Sequence, residues 1–193
     1  QQIVVGATSA GQDTGVFPAM LNKFAGTKFR IVTGYKSSGE VDLAMERGEV
    51  QGKIGVTWTS LNSGRTVDWV PSKKVTIVVQ FGLTPTPGIP SDAPVALDFA
   101  KNAEDREAME VLCTPTALGY PSFMGPGVPA ERVVALRAAY AKTMQDPEFL
   151  EIAKRQNLDV DPIGADELTR VVKHAAGLPP AAIKLAREVL PNL

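Results

Sequence analysis

The sequence predicts an α/β chain: a doubly wound, mainly parallel sheet followed by a helical return segment. Three observations carry this expectation. Two strand-loop-helix units fill the first fifty residues, the β-branched run Val75-Thr76-Ile77-Val78-Val79-Gln80-Phe81 comes later, and helical spacing takes over after Pro129. Strands and helices alternating at this length are the pattern of parallel strands joined by helical crossovers.

The elements follow in order. Ile3 to Val5 suits a buried strand, and Thr14 to Ala25 sets Val16, Phe17, Met20, Leu21 and Phe24 on one helical stripe before Gly26 stops it. Lys28 to Val32 forms the next strand. Ser38 then offers an N-cap, Glu40 supports the first turn, and the helix through Val41, Leu43, Ala44 and Met45 stops at Gly48. A third strand is expected over Ile54 to Trp58, and Leu61 to Val70 reads as a short helix or an irregular turn. Val75 to Phe81 is the clearest strand, of the kind buried on both faces.

Four prolines from Pro85 to Pro94, with Gly88 among them, break regular structure there, as a crossover or linker. Asn102 then caps a helix through Cys113, with Asp105 completing a capping box that uses the shorter acid. An extended segment from Leu118 to Pro129 follows. The remainder is helical: Glu131 to Met144, a helix capped by Asp146 with Pro147 in first position, Ala165 to Ala176, and a last helix from Pro180 to Leu190.

Composition narrows the function. The 193 residues are 44% apolar and 21% charged, which fits a folded soluble chain and argues against disorder. Twenty basic and twenty-one acidic residues leave a net charge of -1, without the basic excess of a nucleic-acid binder or a polybasic membrane-surface protein. No run approaches the roughly 20 apolar residues of a membrane span. The single cysteine, Cys113, reads as a buried small hydrophobe, and the single histidine, His174, is far in sequence from any candidate nucleophile. No metal site, cofactor or catalytic residue is expected. The chain opens straight into an apolar strand, without the charged region, long apolar core and cleavage site of a secretory signal, and so reads as an interior cut. Either a leader and more were removed, or a larger protein was trimmed.

The chemistry lies in the loops at the helix mouths. The first four N–H groups of a helix lack partners within it and sit at the positive end of its dipole, so small residues there let an anion come close. Gly6-Ala7-Thr8-Ser9-Ala10-Gly11 and Gly34-Tyr35-Lys36-Ser37-Ser38-Gly39 both have this form. Ser9 does not sit in a nucleophile elbow, since the glycine two residues before it is missing. Nor does Gly6 to Gly11 make a phosphate loop, because no lysine with serine or threonine follows the second glycine.

Gly34-Tyr35-Lys36-Ser37-Ser38, Leu43 through Gly52, Val5 through Gly11, and Met124-Gly125-Pro126-Gly127-Val128-Pro129-Ala130-Glu131-Arg132-Val133 form a set of motifs along nearly the whole chain. In content and order this set resembles the Bug (TctC-like) extracytoplasmic solute receptors of tripartite tricarboxylate transporters. It implies a type II periplasmic-binding-protein architecture, in which two α/β lobes joined by two crossovers trap a carboxylated solute. On that reading 1–116 is most of the second lobe, and 117–193 is the crossover and helical return to an incomplete first lobe whose opening strands and ligand loop are missing. A chain of this kind binds poorly alone or pairs with a second copy, as a homodimer, to cover exposed faces.

The resemblance also implies the grip on the ligand. Thr8 and Ser9 offer hydroxyls, Ala10 and Gly11 main-chain donors, Ser37 and Ser38 further hydroxyls, Tyr35 a wall, and Lys36 a charge that steers or contacts the anion. Gly34 and Ser37 stand where the family carries proline and glycine. Trp58 lines the cleft at a strand's carboxyl end or packs in the core. Asp13 caps its helix or selects a ligand with an amino group. The implied function is periplasmic capture of a small mono-, di- or tricarboxylate for membrane transporter subunits, with no reaction and no nucleic acid. Two alternatives remain: an α/β enzyme acting on a phosphorylated or acyl substrate, and an effector-sensing module of a transcriptional regulator.

Overall fold

A computed structural model describes residues 2–156, 158 and 160–190. The chain is α/β, and its described residues divide into two compact units. The first runs to Ala117 and resumes at Gly177, and the second spans Leu118 to Ala176. Residues 177–190 thus belong with the first unit, whereas the sequence grouped them with the segment from 117 onward.

The first unit is built around a three-stranded parallel sheet in the order β2-β1-β3, with β1 at Val4–Gly6, β2 at Arg30–Val32 and β3 at Gly52–Lys53. The central strand pairs Val5 with Ile31 on one side and with Gly52 on the other. The ladder to β2 continues past the strand end, where the Ala7 N–H donates to the Val32 carbonyl at 2.8 Å. Helix α1 (Asp13–Met20) joins β1 to β2, and α2 (Ser38–Glu46) joins β2 to β3, so both connections return the chain for parallel pairing. The apolar stripe predicted over Thr14 to Ala25 is continuous, but its last turn, Leu21–Ala25, is π-helical and ends at Gly26 with φ 74°.

Ser37, not Ser38, caps α2. Its extended backbone (φ −152°, ψ 163°) lets Oγ accept the Glu40 N–H at 3.2 Å, while the Glu40 carboxylate accepts the Lys36 N–H at 2.8 Å. The cap thus starts one residue earlier than expected, with Glu40 reaching back to Lys36, the residue before the N-cap.

Two expected strands do not form. Over 54–58 the backbone turns at Gly55 (φ 77°), and Thr57 accepts the Ser60 N–H at 3.2 Å to start a short helix, α3 (Trp58–Leu61). Local turn and cap chemistry prevails there over β propensity. Over 75–81 only Gln80 makes a ladder contact, an isolated parallel bridge to Val95. Burial alternates along this run: Val75, Ile77 and Val79 are half-buried, Thr76 and Val78 exposed, and Val78 is 67% exposed. The segment is an extended edge with one face covered, not a strand buried on both faces.

Helix α4 (Ala103–Leu118) starts where Asn102 and Asp105 predict it, with the Asp105 N–H donating to Asn102 Oδ1 at 2.8 Å and Asn102 Nδ2 to the Asp105 carboxylate at 3.1 Å. It runs on past the expected end at Cys113. Its buried face, Ala108, Met109, Leu112 and Cys113, packs in one core with Val5, Phe17, Met20 and Phe24. Phe17 and Phe81 stack in that core with ring centroids 4.4 Å apart. A smaller cluster of Val41, Ala44 and Val50 holds α2 to the sheet, with Tyr35 packed against it.

In the second unit, α5 (Ala130–Thr143), α6 (Pro147–Arg155) and α7 (Ala165–Ala176) match the predicted helices closely, and Asp146 caps α6 by accepting the Phe149 N–H at 2.9 Å. The last helix, α8 (Pro180–Arg187), belongs to the first unit, where Ala186 joins the main core.

Candidate functional site

Because β1 and β2 are neighbours and parallel, the loops leaving their carboxyl ends lie side by side, tied by a bond from the Gly34 N–H to the Thr8 carbonyl. Helices α1 and α2 begin directly beyond these loops. Both amino ends border one wide-open cleft of about 600 Å³. This is the position at which open α/β sheets hold ligands, outside the carboxyl ends of the strands.

Thr8, Gly11, Lys36, Ser37 and Ser38 line the cleft, so five of the nine residues singled out from the sequence meet in one place. Gln12, Asp13, Thr14 and Gly55 complete the lining. The other four lie outside it. Ser9 and Ala10 belong to the loop behind, on which Gly15 of α1 packs so closely that a methyl group at Gly15 would overlap the backbone of both. Tyr35 is half-buried on the Val41 cluster, and Trp58 is half-buried beside Gly88.

On the α1 side, the Thr8 hydroxyl bonds Gln12 Oε1 at 2.7 Å and Thr14 Oγ1 at 2.9 Å, and Thr14 Oγ1 also accepts the Thr8 N–H at 3.1 Å. Since Gln12 Oε1 can only accept, Thr8 spends its single proton on it, and Thr8 organises the loop rather than donating to a ligand. Gln12 is the N-cap of α1, and its side chain makes no cap hydrogen bond. Asp13 lies exposed in the first turn, where its charge complements the helix dipole.

On the α2 side Lys36 is exposed at the cleft edge. Gly34 adopts φ 106°, a conformation closed to proline. Beneath Ser38 lies a feature the sequence reading missed. The Lys53 ammonium donates to Ser38 Oγ at 2.9 Å and to Asp42 Oδ1 at 2.5 Å, and the two charged side chains are only 6% and 11% exposed. Lys53 ends β3, and neither its spacing nor its neighbours mark it in sequence, because the pairing depends on β3 lying against α2.

Gly55 was missed for a similar reason. It crosses the amino end of α1 so closely that a Cβ there would lie 2.7 Å from the Asp13 carbonyl carbon and 2.8 Å from the Thr14 nitrogen. Only a glycine allows that approach.

The remaining reactive groups stand elsewhere. Cys113 is fully buried, and burial pushes its thiol up to about 12. Among the described residues no group of three or more His, Cys, Asp or Glu side chains is placed to hold a metal ion, and no helix is long and apolar enough to cross a membrane. Compared with family models, with curated proteins and with solved structures, the chain matches none of them.

Proposed function

We propose that this chain is a solute-binding protein, or a piece of one, that captures a small organic acid between two helix mouths and delivers it to a membrane transporter of the tripartite tricarboxylate type. The reading carries with it a type II periplasmic-binding-protein architecture and an extracytoplasmic location. One observation supports it above the rest: the amino ends of α1 and α2 border a single cleft, with Lys36 at its edge. Two uncapped or hydroxyl-lined helix ends at one space favour a carboxylate, each contributing roughly 0.3–2 kcal/mol. Asp13 on the α1 side adds a negative charge opposite Lys36, so a carboxylate that also carries an amino group belongs in any ligand screen.

Isothermal titration of the chain with acetate, succinate, glutamate and citrate tests the reading. Saturable heat with at least one acid, lost in a Ser38→Asp variant that puts a negative charge in the α2 mouth, is the expected result. No uptake of any of the four, by the folded chain alone and by one extended with a first lobe, overturns it. An enzymatic role would instead appear as product formed from a phosphorylated or acylated substrate.

A further inference from the structure

We infer that Lys53 is a positioning residue of the cleft: held by Asp42, its ammonium group turns the Ser38 hydroxyl into an outward-pointing donor for the bound acid. This rests on the carboxylate-binding reading above and adds a residue to it.

The argument starts from what an ammonium group can do. It has three N–H donors and no acceptor, so in the 2.9 Å contact with Lys53, Ser38 Oγ must be the acceptor. A serine hydroxyl has one proton, and this contact leaves that proton unspent. Ser38 lines the cleft, so the proton is available to an acceptor arriving there. A hydroxyl that accepts from a cation is polarised, and its own O–H becomes a stronger donor. Lys53 thus reaches a cleft-bound anion through Ser38.

Burial makes the arrangement specific. At 6% exposure the Lys53 side chain has lost most of its hydration, and a charge so placed persists only with a partner. Asp42, from the second turn of α2, is that partner. The pair ties the end of β3 to the first turns of α2 and leaves the ammonium little freedom to swing away from Ser38. Exposed Lys36 has no such constraint. Lys36 is suited to attracting an anion from solution, and Lys53 to holding the donor that the anion meets.

Removing Lys53 alone would strand a buried carboxylate, so the test uses the neutral pair Asp42→Asn with Lys53→Gln, the single variant Ser38→Ala, and the two combined. Succinate and citrate are titrated into each variant, and thermal melts check that each is folded. The paired variant is expected to bind about tenfold more weakly than the parent, the scale of one charge-assisted hydrogen bond. Ser38→Ala alone should lose at least as much, and adding the pair to it should cost almost nothing more, because Lys53 acts only through the Ser38 hydroxyl. Independent, multiplying losses would mean that Lys53 acts without Ser38, and would overturn the inference while leaving the carboxylate reading intact. A parent protein that binds neither acid would sink both as statements about binding. The contact itself is read separately by nitrogen-resolved NMR of lysine ammonium groups. A slowly exchanging Lys53 signal that shifts in Ser38→Ala supports the geometry, and a fast-exchanging one contradicts it.

Discussion

Gly55 combines φ 77° with backbone approaches of 2.7 to 2.9 Å to Asp13 and Thr14 from any added Cβ. Gly55→Ala must therefore strain its own backbone and push the amino end of α1 away. The left-handed conformation alone costs about 1–2 kcal/mol for a residue with a side chain. Urea denaturation should show at least that loss, and the acid titrations should weaken as well because the displaced turn borders the cleft. Cys113 provides a second residue-scale outcome. Its folded thiol ionises near 12, against an ordinary 9.0, because burial disfavours the thiolate. Above 9.0 the unfolded thiol gives up its proton while the folded one keeps it. The unfolded state then binds fewer protons, so this contribution to stability is intact below about pH 9 and falls by about 1.4 kcal/mol per pH unit until it is gone near 12. A disulfide reagent at about pH 8 should leave Cys113 unmodified until denaturant is added. At this scale, legibility in the sequence followed locality. Gly11, Lys36, Ser37 and Ser38 stand out because they lie between a strand and the helix that it feeds. Lys53 and Gly55 do not, since each matters through an approach to a distant part of the chain.

At the scale of elements the same division separates helices from strands. Helix α4 carries its own start signal, and both hydrogen bonds between Asn102 and Asp105 are present. Asn102→Ala should lower stability by about 1 kcal/mol, seen as a shift in the urea midpoint without a change in slope. The caps of α2 and α6 are similarly local, and the one-residue error at Ser37 arose because two adjacent serines both satisfy the composition rule. Only the backbone distinguishes them. A strand has no such self-contained signal, since it exists through a neighbour. Val75 to Phe81 has the composition of a buried strand but finds a ladder partner only at Gln80. That residue is heavily used: its side chain donates to the Ala93 carbonyl at 2.7 Å and accepts the Thr86 N–H at 2.8 Å, clamping the proline-rich 82–94 loop. Gln80→Leu would leave the buried Ala93 carbonyl without this partner and release the exposed Thr86 end of the loop, and a loss of about 1–3 kcal/mol in urea unfolding is the expected outcome.

For the whole molecule, the consequential fact is that the first unit is discontinuous in sequence: the chain leaves at Ala117 and returns at Gly177. Its core is completed from the far end of the chain, with Ala186 buried in it and Leu185, Val189 and Leu190 packed against it. The same end is tied down by the ion pair between Lys23 and Glu188, although both groups are partly exposed and the pair contributes little beside the packing. Two interventions therefore have opposite outcomes. Ending the chain after Ala176 removes those apolar side chains, and burial of a single Leu or Val is worth about 1.5–3 kcal/mol, so the first unit should lose a large part of its stability and its melting temperature should drop sharply. Cutting the backbone once within 119–129 removes nothing. Phe123 is 88% exposed in that irregular stretch, whereas Tyr120, equally open, precedes Pro121 and resists cleavage. Brief chymotrypsin treatment should cut first after Phe123, as read by mass spectrometry. The two fragments should then co-elute on size exclusion under native conditions, because residues 177–190 remain anchored in the core and carry the second fragment with them. Separation of the fragments would show that the return of the chain contributes little to the first unit, and the melting temperature of the shortened chain should then be unchanged.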